Sequence, residues 1–101
     1  MIPATLHTAR RDPRLRRFPR AIVVLQFLCE YLDHTEFRPL KIDVVALECS
    51  CDRMTAVGAL RLLSEYGYIR RGERPKGEGR QYRMLPAPLL HRNAPVKVNA
   101  A

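Results

Sequence analysis

The stretch 42–85, IDVVALECSCDRMTAVGALRLLSEYGYIRRGERPKGEGRQYRML, decides how the remainder of the chain is arranged. Its opening reads as a short helix from Ile42 to about Glu48, with Val44, Val45 and Leu47 apolar, and breaks at Cys49-Ser50-Cys51. Asp52 then stands where a helix N-cap belongs, its carboxylate placed to accept an orphan backbone N–H of the next turn. Ala56, Ala59, Leu60 and Leu63 recur at helical spacing, which predicts a helix over about 52–66 with those four residues inward. Gly67 is the expected stop, because glycine enters the left-handed conformation there at no steric cost. Beyond it, residues 68–71 and 81–84 read as short strands around Pro75-Lys76-Gly77-Glu78-Gly79, a segment with both turn chemistry and basic charge.

Helix, tight turn, capped helix, glycine stop and basic hairpin is the order of a winged helix-turn-helix. Leu60, Leu63 and Gly67-Tyr68-Ile69-Arg70-Arg71, followed by Gly79-Arg80-Gln81-Tyr82-Arg83-Met84, resemble the recognition-helix exit and wing of bacterial winged-helix repressors of the MarR, ArsR and PadR kind. The resemblance covers about two-thirds of the chain and reaches a superfamily, not one family. It implies a mainly α fold with a small β-hairpin (an α+β class), three helices plus a wing, and a short strand beside the wing near residue 39.

Upstream, Pro19 suits the first turn of a helix running through about Asp33. Ile22, Leu25, Leu28, Cys29 and Leu32 form one apolar face of it, while Val23, Val24, Phe27 and Tyr31 form a second. A surface helix in a small monomer normally carries one apolar stripe. The second is covered by the wing and N-terminal arm or by another copy of the chain; a homodimer through Val23, Val24, Phe27 and Tyr31 is the favoured expectation. Pro39 then pushes Arg38 into an extended conformation, so residues 34–39 read as a connector. Residues 1–18, with Pro3, Pro13 and clustered arginines, are expected to be a flexible basic arm, and 86–101 a proline-containing tail. The folded body is therefore 19–85, one domain.

The formal charge of +8 is unevenly spread: residues 1–20 carry +5, 21–66 carry −3 and 67–101 carry +6. Positive charge focused on an arm and a hairpin, flanking a mildly acidic helical body, is the electrostatic footprint of a polyanion binder. Double-stranded DNA is the expected partner and transcriptional regulation the expected role. Opposite the apolar face of the 52–66 helix lie Arg53, Met54, Val57, Gly58 and Arg61, with Thr55 near its start. Arg53 and Arg61 suit guanine O6 and N7 or phosphate, and Thr55 a base or phosphate. Gly58 costs helix propensity, which predicts a packing or contact reason for it. On the hairpin, Arg70, Arg74, Lys76, Arg80 and Arg83 complete the expected surface, and Arg14, Arg16 and Arg17 extend it along the arm.

Met54, Val57 and Leu62 are poor hydrogen-bonding readers, and that favours an alternative, a winged helix serving as an adaptor for an acidic protein partner. A lesser alternative is thiol or metal sensing: Leu47 to Asp52 is similar to the metal-sensing box of ArsR-type repressors. Two thiols do not complete a closed metal site, so no metal and no cofactor are expected. Three cysteines make no disulfide framework, no apolar run is long enough to cross a bilayer, and the early arginines followed by Pro19 do not form a leader; the expected compartment is the cytoplasm. His7, His34 and His91 are scattered and no nucleophile–base spacing or phosphate loop stands out, so no enzyme is predicted.

Overall fold

A computed structural model describes residues 4–74 and 79–88. Helix α1 spans Ala4–Arg11, a 3₁₀ turn Pro13–Leu15, α2 Pro19–Tyr31, β1 Arg38–Pro39, α3 Ile42–Glu48, α4 Arg53–Glu65, β2 Ile69–Arg71 and β3 Gln81–Met84. The class is α+β, mainly helical with a small antiparallel sheet. Among the described residues no helix is long and apolar enough to cross a membrane.

The boundaries of α4 follow from its two ends. The Thr55 N–H donates to the Asp52 carboxylate at 2.7 Å, capping the first turn, and the bonds from Thr55 hold that carboxyl below its usual range. At the other end Gly67 adopts φ 86°, letting the Tyr68 N–H reach the Leu63 carbonyl at 2.9 Å and the Gly67 N–H that of Ser64 at 3.3 Å. The same paired closure ends α3: the Cys51 N–H meets the Ala46 carbonyl and the Ser50 N–H that of Leu47. There the left-handed position is taken by Ser50, at φ 53°, so the turn between α3 and α4 holds local strain.

Ala56, Ala59, Leu60 and Leu63 are all buried, as the spacing requires, against α2, whose inward stripe is Ala21, Val24, Leu25, Leu28 and Leu32. Val24 is 0% exposed and belongs to the core, which removes it from the predicted dimer surface. Helical phase puts it on the second apolar face of α2, expected to be covered by the wing and N-terminal arm or by another copy of the chain. In fact α2 is packed on by α1, the 3₁₀ turn, α3 and α4, and its buried sector is correspondingly wide. Val23 and Tyr31 remain exposed, and Phe27 is half-buried and stacked on Tyr31 with ring centroids 5.6 Å apart.

The segment expected to be a flexible arm is folded. Leu6, Ala9 and Leu15 are buried in the same core, making four helices where three were expected. What fastens it is Asp12, 1% exposed, whose carboxylate accepts from the Tyr68 hydroxyl at 2.8 Å. The Arg14 backbone N–H at 2.9 Å and its guanidinium at 2.7 to 3.2 Å complete the set. Burial pushes the Asp12 carboxyl up, but the bonds from Arg14 and Tyr68 outweigh it and hold the group below its ordinary value. Burial, then the bond to Asp12, drive the Tyr68 phenol strongly upward. The sequence offers only a lone Asp among arginines here; its partner is 56 residues away.

The sheet has the order β1-β3-β2, both pairings antiparallel. Ile69 faces Met84, Arg70 faces Arg83 and Arg71 faces Tyr82, so the buried Ile69, Tyr82 and Met84 share the helix side and Arg70 and Arg83 the other. Gly79 meets a steric demand: a Cβ there would lie 2.7 Å from the Leu40 carbonyl oxygen, where the loop before α3 bonds back to Arg80. The expected wing tip at Pro75, Lys76, Gly77 and Glu78, and the tail from residue 89, lie outside the described residues.

Candidate nucleic-acid interface

The exposed surface of α4 is built by the burial of its other side. With four small or branched apolar residues inward, Arg53, Met54, Val57, Gly58 and Arg61 stand outward, the set that helical phase assigns. Thr55 and Leu62 are half-buried at the flanks. α4 is thus a ridge, and a groove runs along each side of it.

The first groove, about 720 Å³, lies between α4, the start of α3 and the ends of β2 and β3. Among the described residues Lys41, Arg53, Arg61, Arg71, Arg74 and Arg80 line it, against a single carboxylate, Asp43. Six cations around one cleft raise a positive potential that concave low-dielectric walls focus. Two of them are held: Arg53 is ion-paired with Asp43, and Arg80 donates to the Gly72 carbonyl at 3.2 Å. The Arg53–Asp43 pair is largely solvated and stabilises the fold little. Its consequence is local, since Asp43 offsets part of the charge of Arg53 at the start of α4. The second groove, about 470 Å³, separates α4 from residues 17–21 and is lined by Arg17, Arg20 and Arg61 with Phe18, Ala21, Gly58, Ala59 and Leu62 among others. Arg61 lines both grooves and so marks the crest between them.

Of the residues predicted from sequence, Arg53, Val57, Arg61, Arg74 and Arg80 meet in the first groove, and Arg17, Thr55 and Gly58 in the second. Met54 is 85% exposed on the ridge but lines neither groove. Gly58 has no internal packing reason, since a Cβ there would meet nothing within 4 Å. Arg70 is exposed on the sheet face away from α4. Arg83 shares that face and donates to the His34 carbonyl at 3.0 Å, with its guanidinium over the Phe37 ring. Arg14 is bound to Asp12 and stacked 4.3 Å over the Tyr66 ring, which removes it from the expected mobile phosphate-tracking set; Arg16 is exposed but lines neither groove. Lys76 lies outside the described residues.

Lys41, Arg71 and Arg20 line the grooves without having been predicted. Arg71 was legible, since strand alternation puts it on the side of Ile69. Lys41 and Arg20 were not, because their positions depend on how the segments before α3 and α2 fold back beside α4. Cys49 is buried and Cys29 and Cys51 half-buried; burial pushes the Cys29 and Cys49 thiols up, toward the unreactive protonated form. Among the described residues no three His, Cys, Asp or Glu side chains converge as metal ligands.

Comparison of the chain with known protein families, with characterised proteins and with solved structures gives no match. Function is accordingly read from geometry.

Proposed function

We propose that this protein is a winged helix-turn-helix that docks α4 in the major groove of duplex DNA and acts in transcriptional regulation. One observation carries the reading: a helix of 13 residues with one exposed face borders a cleft that, among the described residues, holds six cations and one carboxylate. The turn before it, Cys49 to Asp52, and the β2–β3 pair behind it support the reading as a helix-turn-helix with the base of a wing. In this docking Arg71, Arg74, Arg80 and Lys41 neutralise phosphates of one strand, while Arg53 and Arg61 face the base edges. A bidentate Arg–guanine contact discriminates by roughly 1–3 kcal/mol, and Val57 and Met54 suit thymine methyl groups. Affinity rests mainly on phosphate, with selectivity at a few positions only.

The test is fluorescence anisotropy of a labelled random-sequence duplex titrated at several salt concentrations. Neutralising at least these four phosphates gives a slope of log K against log salt of about −4 or steeper. No binding at low salt would sink the proposal. A second reading is favoured by Leu47 and Met54, exposed at 79% and 85% on either side of the α3–α4 turn: an adaptor that buries this apolar pair against an acidic protein. On that reading duplex DNA does not compete with the partner.

A further inference from the structure

The second groove has a composition unlike the first. Its floor is apolar, made by Phe18, Ala21, Gly58, Ala59 and Leu62, and its rim is arginine. Arg17, Arg20 and Arg61 have no ion pair among the described residues, whereas Arg14 and Arg53 do. Among the described residues no carboxylate lines it. Gly58 opens onto it in mid-helix, where glycine is unfavourable and where an added Cβ would meet no atom of the protein. The missing side chain therefore widens the groove and serves nothing inside the fold.

We propose that this groove between residues 17–21 and α4 seats one deoxyribose–phosphate strand of a DNA duplex, opposite the strand held in the arginine-lined cleft on the other side of α4. The inference rests on the reading of α4 as a major-groove helix and adds the second half of its footprint. An α-helix with its side chains is about 10–12 Å across, and the major groove of B-DNA is about 12 Å wide. Grooves on the two flanks of one helix are thus spaced as the two strands that border a major groove. The chemistry also matches: sugar C–H surface packs on the apolar floor over Gly58, and the phosphates on either side reach Arg17 and Arg20 on the rim, while Arg61 on the crest stays turned to the base edges. A free phosphate would leave the floor unused, and an uncharged apolar ligand would leave the arginines unpaired.

The experiment measures duplex affinity and thermal stability for the full chain carrying Gly58→Leu, Arg17→Ala with Arg20→Ala, or, on the opposite flank, Arg71→Ala with Arg74→Ala. Gly58→Leu is expected to raise Tm, since leucine favours helix and meets open space, while weakening DNA binding on the order of tenfold. The Arg17/Arg20 pair is expected to weaken binding evenly across sequences and to flatten the salt slope by about 2. Replacing single phosphates by neutral methylphosphonates then locates the contact: one strand's substitutions cancel the Arg17/Arg20 effect, the other strand's the Arg71/Arg74 effect. If Gly58→Leu fails to fold, the arginine pair and the methylphosphonates decide alone. Wild-type affinity in both Gly58→Leu and the Arg17/Arg20 variant, with loss only in the Arg71/Arg74 variant, overturns the strand seat and leaves the docking of α4 standing. A wild type that binds no duplex overturns both.

Discussion

Removing one oxygen atom, by Tyr68→Phe, tests whether the N-terminal segment is part of the fold. The Tyr68 hydroxyl is buried and donates at 2.8 Å to an Asp12 carboxylate that is itself 1% exposed. The variant keeps the ring in the core and leaves Asp12 bound to Arg14, so neither a cavity nor an unpartnered charge forms. What is lost is one hydrogen bond to a charged group, about 1.5–3 kcal/mol. For a domain of this size about 2 kcal/mol corresponds to a fall in Tm on the order of 10 °C. Thermal and urea unfolding followed by circular dichroism measure it. The pH dependence carries a second signature. Asp12 has a lowered pKa in the fold, so its contribution is complete above about pH 4, the unfolded carboxyl value, and is lost as pH falls through the folded value. Tyr68 has a raised pKa, so its contribution is complete below about pH 10 and is lost as pH rises beyond that. Tyr68→Phe should abolish the alkaline loss. A double-mutant cycle with Asp12→Asn should give a coupling energy above about 1 kcal/mol. Additive effects, or a Tyr68→Phe protein as stable as wild type, would refute the fastening role of the Asp12–Tyr68 bond.

Three further outcomes are expected. Ser50→Gly relieves the left-handed strain in the α3–α4 turn and should raise stability by up to about 1 kcal/mol in urea unfolding, set against the added chain entropy of glycine. Val24→Glu should abolish cooperative unfolding because it buries a charge, whereas Val23→Glu, at a position 41% exposed, should fold normally; if the outer face of α2 pairs two copies, Val23→Glu alone converts a dimer to a monomer in sedimentation. Asp43→Asn removes the only carboxylate that lines the arginine cleft among the described residues and should tighten binding to random duplex DNA; unchanged affinity at low salt would argue against contact there.

How much was legible depended on how local each signal was. The cap at Asp52, the stop at Gly67, Pro19 and the alternation of Ile69, Tyr82 and Met84 each act within a few residues, and α3, α4, β2 and β3 fall where they predict. The outward face of α4 was legible for the same reason. The N-terminal segment was not, because its arginines dominate the composition while its order rests on three buried apolar residues and one distant hydrogen bond. A basic, proline-containing stretch looks solvated until its partners are known. Val24 lies on the second apolar face of α2, and the folded N-terminal segment helps to cover that helix, so part of the face that suggested a second copy is an intramolecular contact.

Folding of that segment also changes what its charges can do. A flexible arm would spread its arginines over many phosphates, with an ordering cost at each encounter. Held by Asp12 and Tyr68, the chain instead fixes Arg17 and Phe18 beside α4 as one wall of the second groove. Tyr68 precedes β2, whose Arg71 lines the first groove. One buried carboxylate therefore ties the segment that carries Arg17 to the segment that carries Arg71. Its loss should weaken duplex binding through Arg17 and Arg71 together, even though Asp12 itself lines neither groove. The Asp12→Asn protein is expected to bind more weakly than a Tyr68→Phe protein that keeps the Arg14 contact. If Asp12→Asn instead binds random duplex DNA with wild-type affinity and salt slope, the walls are set by other contacts and the segment is only packing.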